Sequence, residues 1–222
     1  EIYTLSLHDA LPISSWLLDG LCRKSGKQAG AKTGNPADFA TFDDFMAALK
    51  KQLHYVIKVT VKASHIIDEI CMSRPVPALS ISFEECIEHA SDYAWGGAKY
   101  NTGNGIICIG VSDLINSASA IKHVVYDTKQ VSMPRLLDAL DRDFDGCEDV
   151  YKACMEAPKY GNDDPRADRL AAELFAYIAD EIENYSSKFG RMTPGILPVS
   201  GNTPFGASWR SEERRVGKEC RS

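Results

Sequence analysis

Residues 96–111 read GGAKYNTGNGIICIGV, a glycine-rich run that leads directly into an apolar segment. Glycine adopts backbone conformations that other residues avoid, so the first half predicts a tight loop. The apolar second half predicts a buried strand, and helical signals follow from Ser112. Residues 192–206, which read MTPGILPVSGNTPFG, predict a second short strand that ends in small polar residues and glycines. Because α/β folds place ligands at strand ends that open into such loops, both segments are candidates for a binding site.

The glycine-rich loop matches neither of the two common phosphate-binding motifs. A P-loop requires Gly, four residues and then Gly-Lys-Ser/Thr, and the sequence has no such run. A dinucleotide fingerprint requires Gly-x-Gly-x-x-Gly after a strand, whereas Gly103 and Gly105 precede the predicted strand and position 108 is Cys. Nucleotide binding by either motif is therefore disfavoured. The simplest interpretation is a glycine turn that lets the backbone pass close to a neighbouring strand.

A long helix is predicted upstream of this loop, over residues 42–72. Thr41 and Asp44 have the spacing of an N-cap residue and a first-turn acid. Apolar side chains then recur at helical spacing, which predicts one apolar stripe. Its members are Phe42, Phe45, Met46, Leu49, Leu53, Val56, Ile57, Thr60, Ile67 and Ile70.

Helical patterns also follow the long helix and alternate with few, short apolar strands. Ser82, Ser112, Ser132 and Asp164 are predicted N-caps, and residues 79–82 are predicted to be extended. The corresponding helices are predicted over about 83–90, 112–126, from 133, 148–155 and 165–185. This alternation favours part of a barrel or a layered α/β domain over an all-α bundle.

Charge and cysteine spacing limit the classes of partner. The 222 residues carry a formal net charge of −6, so we expect neither nucleic acid nor a membrane surface as a partner. The seven cysteines form no Cys-x-x-Cys pair, which predicts no zinc or iron–sulfur site and reduced thiols in a cytoplasmic protein. The oxygens of residues 162–164 could bind a cation, but a turn with a helix cap is the simpler interpretation.

Ordered motifs in this chain resemble the pyruvate formate-lyase-like domain of glycyl radical enzymes. They are GGAKYN at 96–101 with the helix that follows, APKYGNDD at 157–164 and PVSGN at 198–202. The resemblance extends from about Leu17 to Trp209. It implies part of a ten-stranded β/α barrel, rich in helices and with few short strands, in an enzyme several hundred residues longer.

The two ends of the chain differ from this pattern. Residues 1–14 read EIYTLSLHDALPIS and residues 210–222 read RSEERRVGKECRS. Both resemble translated sequencing-adapter sequence, and such segments are excluded from fold reasoning. We therefore expect a partial pyruvate formate-lyase-like domain over residues 15–209, flanked by two artefactual segments.

The resemblance implies radical cleavage of a C–C or C–X bond by the parent enzyme, as in formate acetyltransferase, arylacetate decarboxylases or dehydratases. It implies a glycyl radical, installed by a radical S-adenosylmethionine activating enzyme, and a homodimeric parent that acts on a small molecule. The family's cysteine-loop and radical-glycine motifs do not occur in this sequence. No catalytic residue is therefore carried over, and this chain is expected to be inactive alone and to hold no cofactor.

Seven residues at the two strand-end loops are candidates for the substrate pocket. They are Asn104, Gly105, Ile106, Val199, Ser200, Gly201 and Asn202. Small side chains leave room for a substrate, and Ser200 and Asn202 could hydrogen-bond it. Ordinary barrel packing remains the other interpretation, and a non-catalytic domain that binds a metabolite or a protein remains the alternative function. The sequence TGNG at 102–105 departs from the family's common Phe-Thr-Gly, which disfavours glycerol- or choline-type substrates and favours relatives of pyruvate formate-lyase or arylacetate decarboxylases.

Overall fold

A computed structural model describes residues 21–22, 27–28, 30–99, 105–142 and 144–196. These ranges contain seven α-helices and six short strands, in agreement with the predicted helix-rich α/β composition. The helices are α1 Phe42–Met72, α2 Pro77–Ser80, α3 Glu84–Glu88, α4 Val111–Ile121, α5 Met133–Asp141, α6 Glu148–Glu156 and α7 Pro165–Glu183. The strands are β1 Leu21–Cys22, β2 Lys27–Gln28, β3 Gly105–Cys108, β4 Ser186–Ser187, β5 Gly190–Arg191 and β6 Thr193–Ile196.

The described residues divide into two compact units. The first unit contains the residues up to Gln52, together with Cys108–Leu174 and Ile196. The second contains Leu53–Ile107 and Phe175–Gly195. Helices α1 and α7 therefore each contribute residues to both units. Among the helices in the described ranges, none combines the length and apolar character that a membrane span requires.

Helix α1 has the predicted bounds, and its N-terminus is capped by the predicted residues. The Thr41 amide donates to Oδ2 of Asp44 at 2.9 Å, and the Asp44 amide donates to Oγ1 of Thr41 at 3.2 Å. These reciprocal bonds are those of a capping box, with Asp in place of the usual Glu or Gln. Two backbone donors that a helix N-terminus leaves without an intrahelical partner are thereby satisfied.

The core of the first unit is formed by apolar faces of α4 to α7, together with Phe45 and Leu49 of α1 and Val124 of the π-helical turn after α4. Its fully buried side chains include Ile115, Val124, Leu136, Val150, Ala167 and Leu174. Helix α5 begins as predicted, since Oγ of Ser132 accepts a hydrogen bond from the Arg135 amide at 3.4 Å. A π-helical turn, Lys122–Asp127, continues α4.

The second unit contains a turn built around the buried side chain of Asp92. Gly96 has a φ of 90°, which glycine adopts without steric cost, and the Gly97 amide donates to the Asp92 carbonyl at 3.1 Å. The Asp92 carboxylate accepts from the Val76 amide at 3.0 Å and from Oγ of Ser80 at 2.8 Å. This one carboxylate therefore ties the start of α2 to the glycine-rich segment.

Four local predictions were wrong. Residues 79–82 were predicted to be extended, but residues 79 and 80 are the last two of α2. This helix starts at Pro77, and proline is tolerated in a first helical turn. Helix α3 begins at Glu84, and Ser82 does not cap it. Helix α4 begins at Val111, and its N-cap is Gly110, with a φ of 75°, in place of the predicted Ser112. The sequence also predicts a loop over residues 186–193, between α7 and the last strand, but this segment contains the antiparallel hairpin of β4 and β5.

Candidate functional site

Strands β3 and β6 form a two-stranded sheet, and two of the predicted pocket residues lie in β3. A Cβ on Gly105 would lie 3.5 Å from the Thr193 carbonyl oxygen, and a Cβ on Gly195 would lie 3.8 Å from Cγ1 of Ile107. These contacts advance in the same direction along both strands, so the strands run parallel. Both distances are ordinary van der Waals contacts, and neither glycine is required for the strands to approach.

Of the seven predicted pocket residues, Gly105 and Ile106 lie in β3, where Gly105 is exposed and Ile106 is half-buried. The other five, Asn104, Val199, Ser200, Gly201 and Asn202, lie outside the described residues. In a parallel pair, the start of one strand lies beside the start of the other. Gly105, at the start of β3, therefore lies at the opposite end of the strand pair from Gly195, near the end of β6. From β6 the chain continues towards Val199. The pocket formed by all seven residues stays a prediction.

The carboxyl end of β3 leads to an acidic residue that the sequence analysis missed. Asp113 lies in the first turn of α4, and its amide donates to the Gly110 carbonyl at 3.1 Å. Burial raises the pKa of the half-buried Asp113 carboxyl to about 6, and burial also raises the pKa of the Cys108 thiol. Ligands of α/β folds bind at the carboxyl ends of strands, so Asp113 is an additional candidate. In the sequence it is indistinguishable from an ordinary first-turn acid.

We expect Asp113→Asn to raise the thermal midpoint near pH 8 and to leave it unchanged near pH 4. The folded-state pKa of Asp113, about 6, lies above the ordinary value of 3.8. The ionised carboxylate therefore destabilises the fold above that pKa, and this cost disappears as the pH falls through the folded pKa towards the ordinary one. Thermal melts of both proteins across this range measure the effect. Asp43→Asn, at an exposed first-turn acid of α1, is the control and should not gain stability. A gain for Asp113→Asn that is equal at both pH values would contradict the prediction.

The run at 157–164 is held against α4 by two hydrogen bonds, of which the first is buried and the second is exposed. Oγ of Ser119 donates to the Pro158 carbonyl at 2.8 Å, and the Tyr160 amide donates to Oδ1 of Asn116 at 2.8 Å. Asn116 and Ser119 lie on consecutive turns of one face of α4, and Pro158 and Tyr160 lie in one short loop. The described contacts therefore give this motif a structural role in the first unit.

Lys159, within the same run, closes the C-terminal end of α6. Its Nζ donates to the carbonyls of Cys154 and Ala157 at 2.7 and 2.9 Å. These are carbonyls that a helix end leaves without a partner, and a lysine near the negative end of the helix dipole is favourable. Burial lowers the pKa of Lys159, and burial raises the pKa of the Cys154 thiol to about 11.

Asp164 caps α7, as predicted. Its Oδ1 accepts from the Arg166 amide at 3.0 Å, and its Oδ2 accepts from Nη2 of Arg166 at 2.7 Å. The Arg166 side chain holds the pKa of Asp164 low, at about 2. Within the described ranges, no group of three or more His, Cys, Asp or Glu side chains is arranged to hold a metal ion.

We expect iodoacetamide to modify Cys71 at least about two orders of magnitude faster than Cys154 near pH 8, because the thiolate is the reactive form. Cys71 is exposed, whereas Cys154 is buried and has a raised pKa. Peptide-resolved mass spectrometry over a time course measures both rates in one sample. In denaturant the two rates should converge, which controls for the local sequence. Equal rates in the native protein would be inconsistent with the buried position of Cys154.

Comparisons with known proteins identify the family. The family model of pyruvate formate lyase-like proteins matches residues 10–206. Trans-4-hydroxy-L-proline dehydratase of Clostridioides difficile is 35% identical over 211 residues, which are 93% of this chain and 27% of the enzyme. A crystal structure of hydroxyproline dehydratase from the same species, with trans-4-hydroxy-L-proline bound, superposes with a TM-score of 0.81 at 36% identity, over 89% of this chain and 26% of that one.

Two further solved structures agree with this similarity. The B12-independent glycerol dehydratase of Clostridium butyricum has a TM-score of 0.80 at 32% identity, over 91% of this chain and 25% of that one. A glycyl radical enzyme of Archaeoglobus fulgidus has a TM-score of 0.77 at 29% identity, over 90% of this chain and 25% of that one. This chain thus spans about a quarter of the length of these relatives. The predicted fold class, a helix-rich part of a β/α barrel, is confirmed, and the chain belongs to the pyruvate formate lyase-like family of glycyl radical enzymes.

Proposed function

We propose that this chain is part of a glycyl radical dehydratase that cleaves a C–O bond in a small hydroxylated substrate. The observation that carries this proposal is the superposition of 89% of the chain, with a TM-score of 0.81, on a hydroxyproline dehydratase with its substrate bound. The glycerol dehydratase superposes almost as well. Both relatives act by dehydration according to their names, so this reaction class replaces the sequence-based preference for a decarboxylase or a formate-lyase.

We assign the radical chemistry to segments of the parent enzyme outside this chain. The family's radical glycine and its hydrogen-abstracting cysteine have no matching motif here. The described cysteines Cys86, Cys147 and Cys154 are buried, as is typical of cysteines used as small apolar side chains. A radical S-adenosylmethionine activating enzyme would install the radical, and we place the parent in the cytoplasm as a homodimer.

The chain's own contribution is a wall of the substrate pocket. We assign this role to the residues around the parallel strands: Gly105 and Ile106 of β3, with Asn104 before them and Val199, Ser200, Gly201 and Asn202 after β6. If these residues only pack against their neighbours, substituting them should not change the affinity of the enzyme for its substrate.

The test starts from the source DNA, by extending the open reading frame beyond both ends of this chain. A frame that encodes a cysteine loop upstream and a radical-glycine loop downstream allows the full enzyme to be made. Coexpressed anaerobically with an activating enzyme, it should show a glycyl radical by electron paramagnetic resonance and should dehydrate hydroxylated amino acids or polyols. Residues 1–222 alone should show neither. A frame that closes at the present ends would overturn the proposal in favour of a non-catalytic binding domain.

A further inference from the structure

One hydroxyl of α4 is buried in the first unit without a hydrogen bond. Ser117 is 2% exposed, and its Oγ has no hydrogen-bond partner in the part of the chain that the structure describes. A buried polar group without a partner is costly, and in folded proteins such groups are usually bonded to the protein or to an ordered water. The Ser117 hydroxyl therefore requires a partner that the described residues do not supply.

Other serine hydroxyls of the same protein show that Ser117 is an exception. Oγ of Ser80 donates to the Val76 carbonyl, four residues earlier in the chain, at 3.1 Å. Oγ of Ser119, two residues after Ser117, donates to the Pro158 carbonyl of a neighbouring loop at 2.8 Å. Among the described residues, Ser117 makes neither kind of bond, to its own helix or to a packed loop.

Asp113 lies one helical turn before Ser117, on the same face of α4. Residues four apart in a helix have Cβ atoms about 5–6 Å apart, and both Cα–Cβ bonds tilt towards the N-terminus. Burial raises the pKa of the half-buried Asp113 carboxyl to about 6, and no hydrogen bond from the described residues offsets this effect. In Asp92, by contrast, hydrogen bonds outweigh burial and lower the pKa. Asp113 and Ser117 thus both lack the hydrogen bonds that polar groups in such positions usually make.

We propose that the Ser117 hydroxyl and the Asp113 carboxyl together bind one internal water molecule. Two hydrogen bonds of about 2.8 Å each let a water bridge polar atoms that are about 4.5–5.5 Å apart, which matches the spacing of side chains four residues apart. Buried waters typically make two to four hydrogen bonds to polar groups that have no other partner. Because Asp113 is half-buried, it places this water at the edge of the core.

The charges at this position favour a neutral molecule over an ion. Asp113 lies in the first turn of α4, at the positive end of the helix dipole, which disfavours a cation. Its carboxylate in turn repels an anion. A metal ion is also disfavoured, because the described ranges contain no suitable cluster of three His, Cys, Asp or Glu side chains. Water both donates and accepts, and so fits a hydroxyl and a carboxyl together. The argument rests on α4 alone and not on the proposed reaction.

The thermal stability of Ser117→Ala tests the proposal through its sign. This variant removes one of the two groups that hold the water, so we expect the thermal midpoint to fall by about 2–4 °C. Ser112→Ala, at an exposed serine of the same helix, is the matched control, since it makes the same change in helix propensity. If the hydroxyl has no partner, alanine relieves its burial cost instead. A midpoint of Ser117→Ala equal to or above that of Ser112→Ala would therefore overturn the proposal.

Oxygen-17 relaxation dispersion of the solvent detects the water itself. In solutions of residues 1–222, Ser117→Ala and Asp113→Ala should each lose one long-lived water relative to the wild type, whereas Ser112→Ala should lose none. The measurement follows water oxygens, so exchange of the hydroxyl proton does not affect it, and circular dichroism checks that each variant is folded. Retention of the water in Ser117→Ala or in Asp113→Ala would overturn the proposal. So would a thermal midpoint that rises with sodium chloride in the wild type but not in Ser117→Ala, because a cation would then be the occupant.

Discussion

Gly97→Ala is expected to destabilise the second unit by about 1–3 kcal/mol or more, because it forces an extra group into a closed space. A Cβ at this position would collide with the Ser91 carbonyl oxygen and would lie 2.9 Å from Sγ of Cys86. The Gly97 amide is meanwhile held by the Asp92 carbonyl, so the backbone is constrained on both sides. Relief would require backbone movement, which costs more than the rotation of a side chain. Urea unfolding followed by circular dichroism measures the change in the free energy of unfolding.

Gly195→Ala is the matched control for this prediction. A Cβ on Gly195 would lie 3.8 Å from Cγ1 of Ile107, an ordinary contact. We therefore expect its free energy of unfolding to change by less than about 1 kcal/mol. If both alanine variants unfold at the same urea concentration as the wild type, the close approach at Gly97 does not stabilise the fold as described.

Asp92→Ala is expected to have the second large effect. The carboxylate is buried and accepts from the Val76 and Ala94 amides and from the Ser80 hydroxyl. Removing it leaves these donors without that acceptor inside the protein, and unsatisfied buried donors are costly. We expect the thermal midpoint to fall by several degrees. Asp145→Ala, at an exposed acid of the first unit, is the control and should melt like the wild type.

The pH dependence of Asp92→Ala provides an independent measurement. Burial by itself would raise the pKa of Asp92, but the hydrogen bonds from Val76, Ala94 and Ser80 outweigh it and lower that pKa below the ordinary value of 3.8. A carboxyl with a lowered pKa stabilises the fold above the ordinary value and loses this contribution as the pH falls through the folded pKa. The difference in midpoint between wild type and Asp92→Ala should therefore shrink in acid. A difference that is independent of pH would show that the charge of Asp92 is not responsible.

Several local features could be predicted from the sequence because they depend on neighbours in the chain. Thr41 and Asp44 place the start of α1, and Asp164 places the start of α7, through hydrogen bonds that span two or three residues. Periodicity over many residues made the bounds of α1 correct at both ends. The short helix α2 was missed because proline breaks one helix and starts another equally well. In the structure the Asp92 carboxylate accepts from the Val76 amide at the start of α2.

The candidate site was less predictable, because burial and spatial proximity depend on the whole fold. Glycines look alike in the sequence, but Gly97 has no space for a Cβ whereas Gly105 does. Asp113 reads as a first-turn acid, and its raised pKa follows from burial that tertiary packing creates. Five of the seven predicted pocket residues lie outside the described ranges.

Short-range hydrogen bonds and apolar periodicity, both written in the sequence, determined where the helices lie, and the ordered motifs at 96–101, 157–164 and 198–202 indicated the family. Tertiary structure alone decided which apolar residues are buried. Ile57 and Ile67 have the same chemistry and lie in one predicted stripe, yet they are 6% and 58% exposed. The physical reason is that periodicity defines the faces of a helix, whereas the elements that pack against it decide which face is covered.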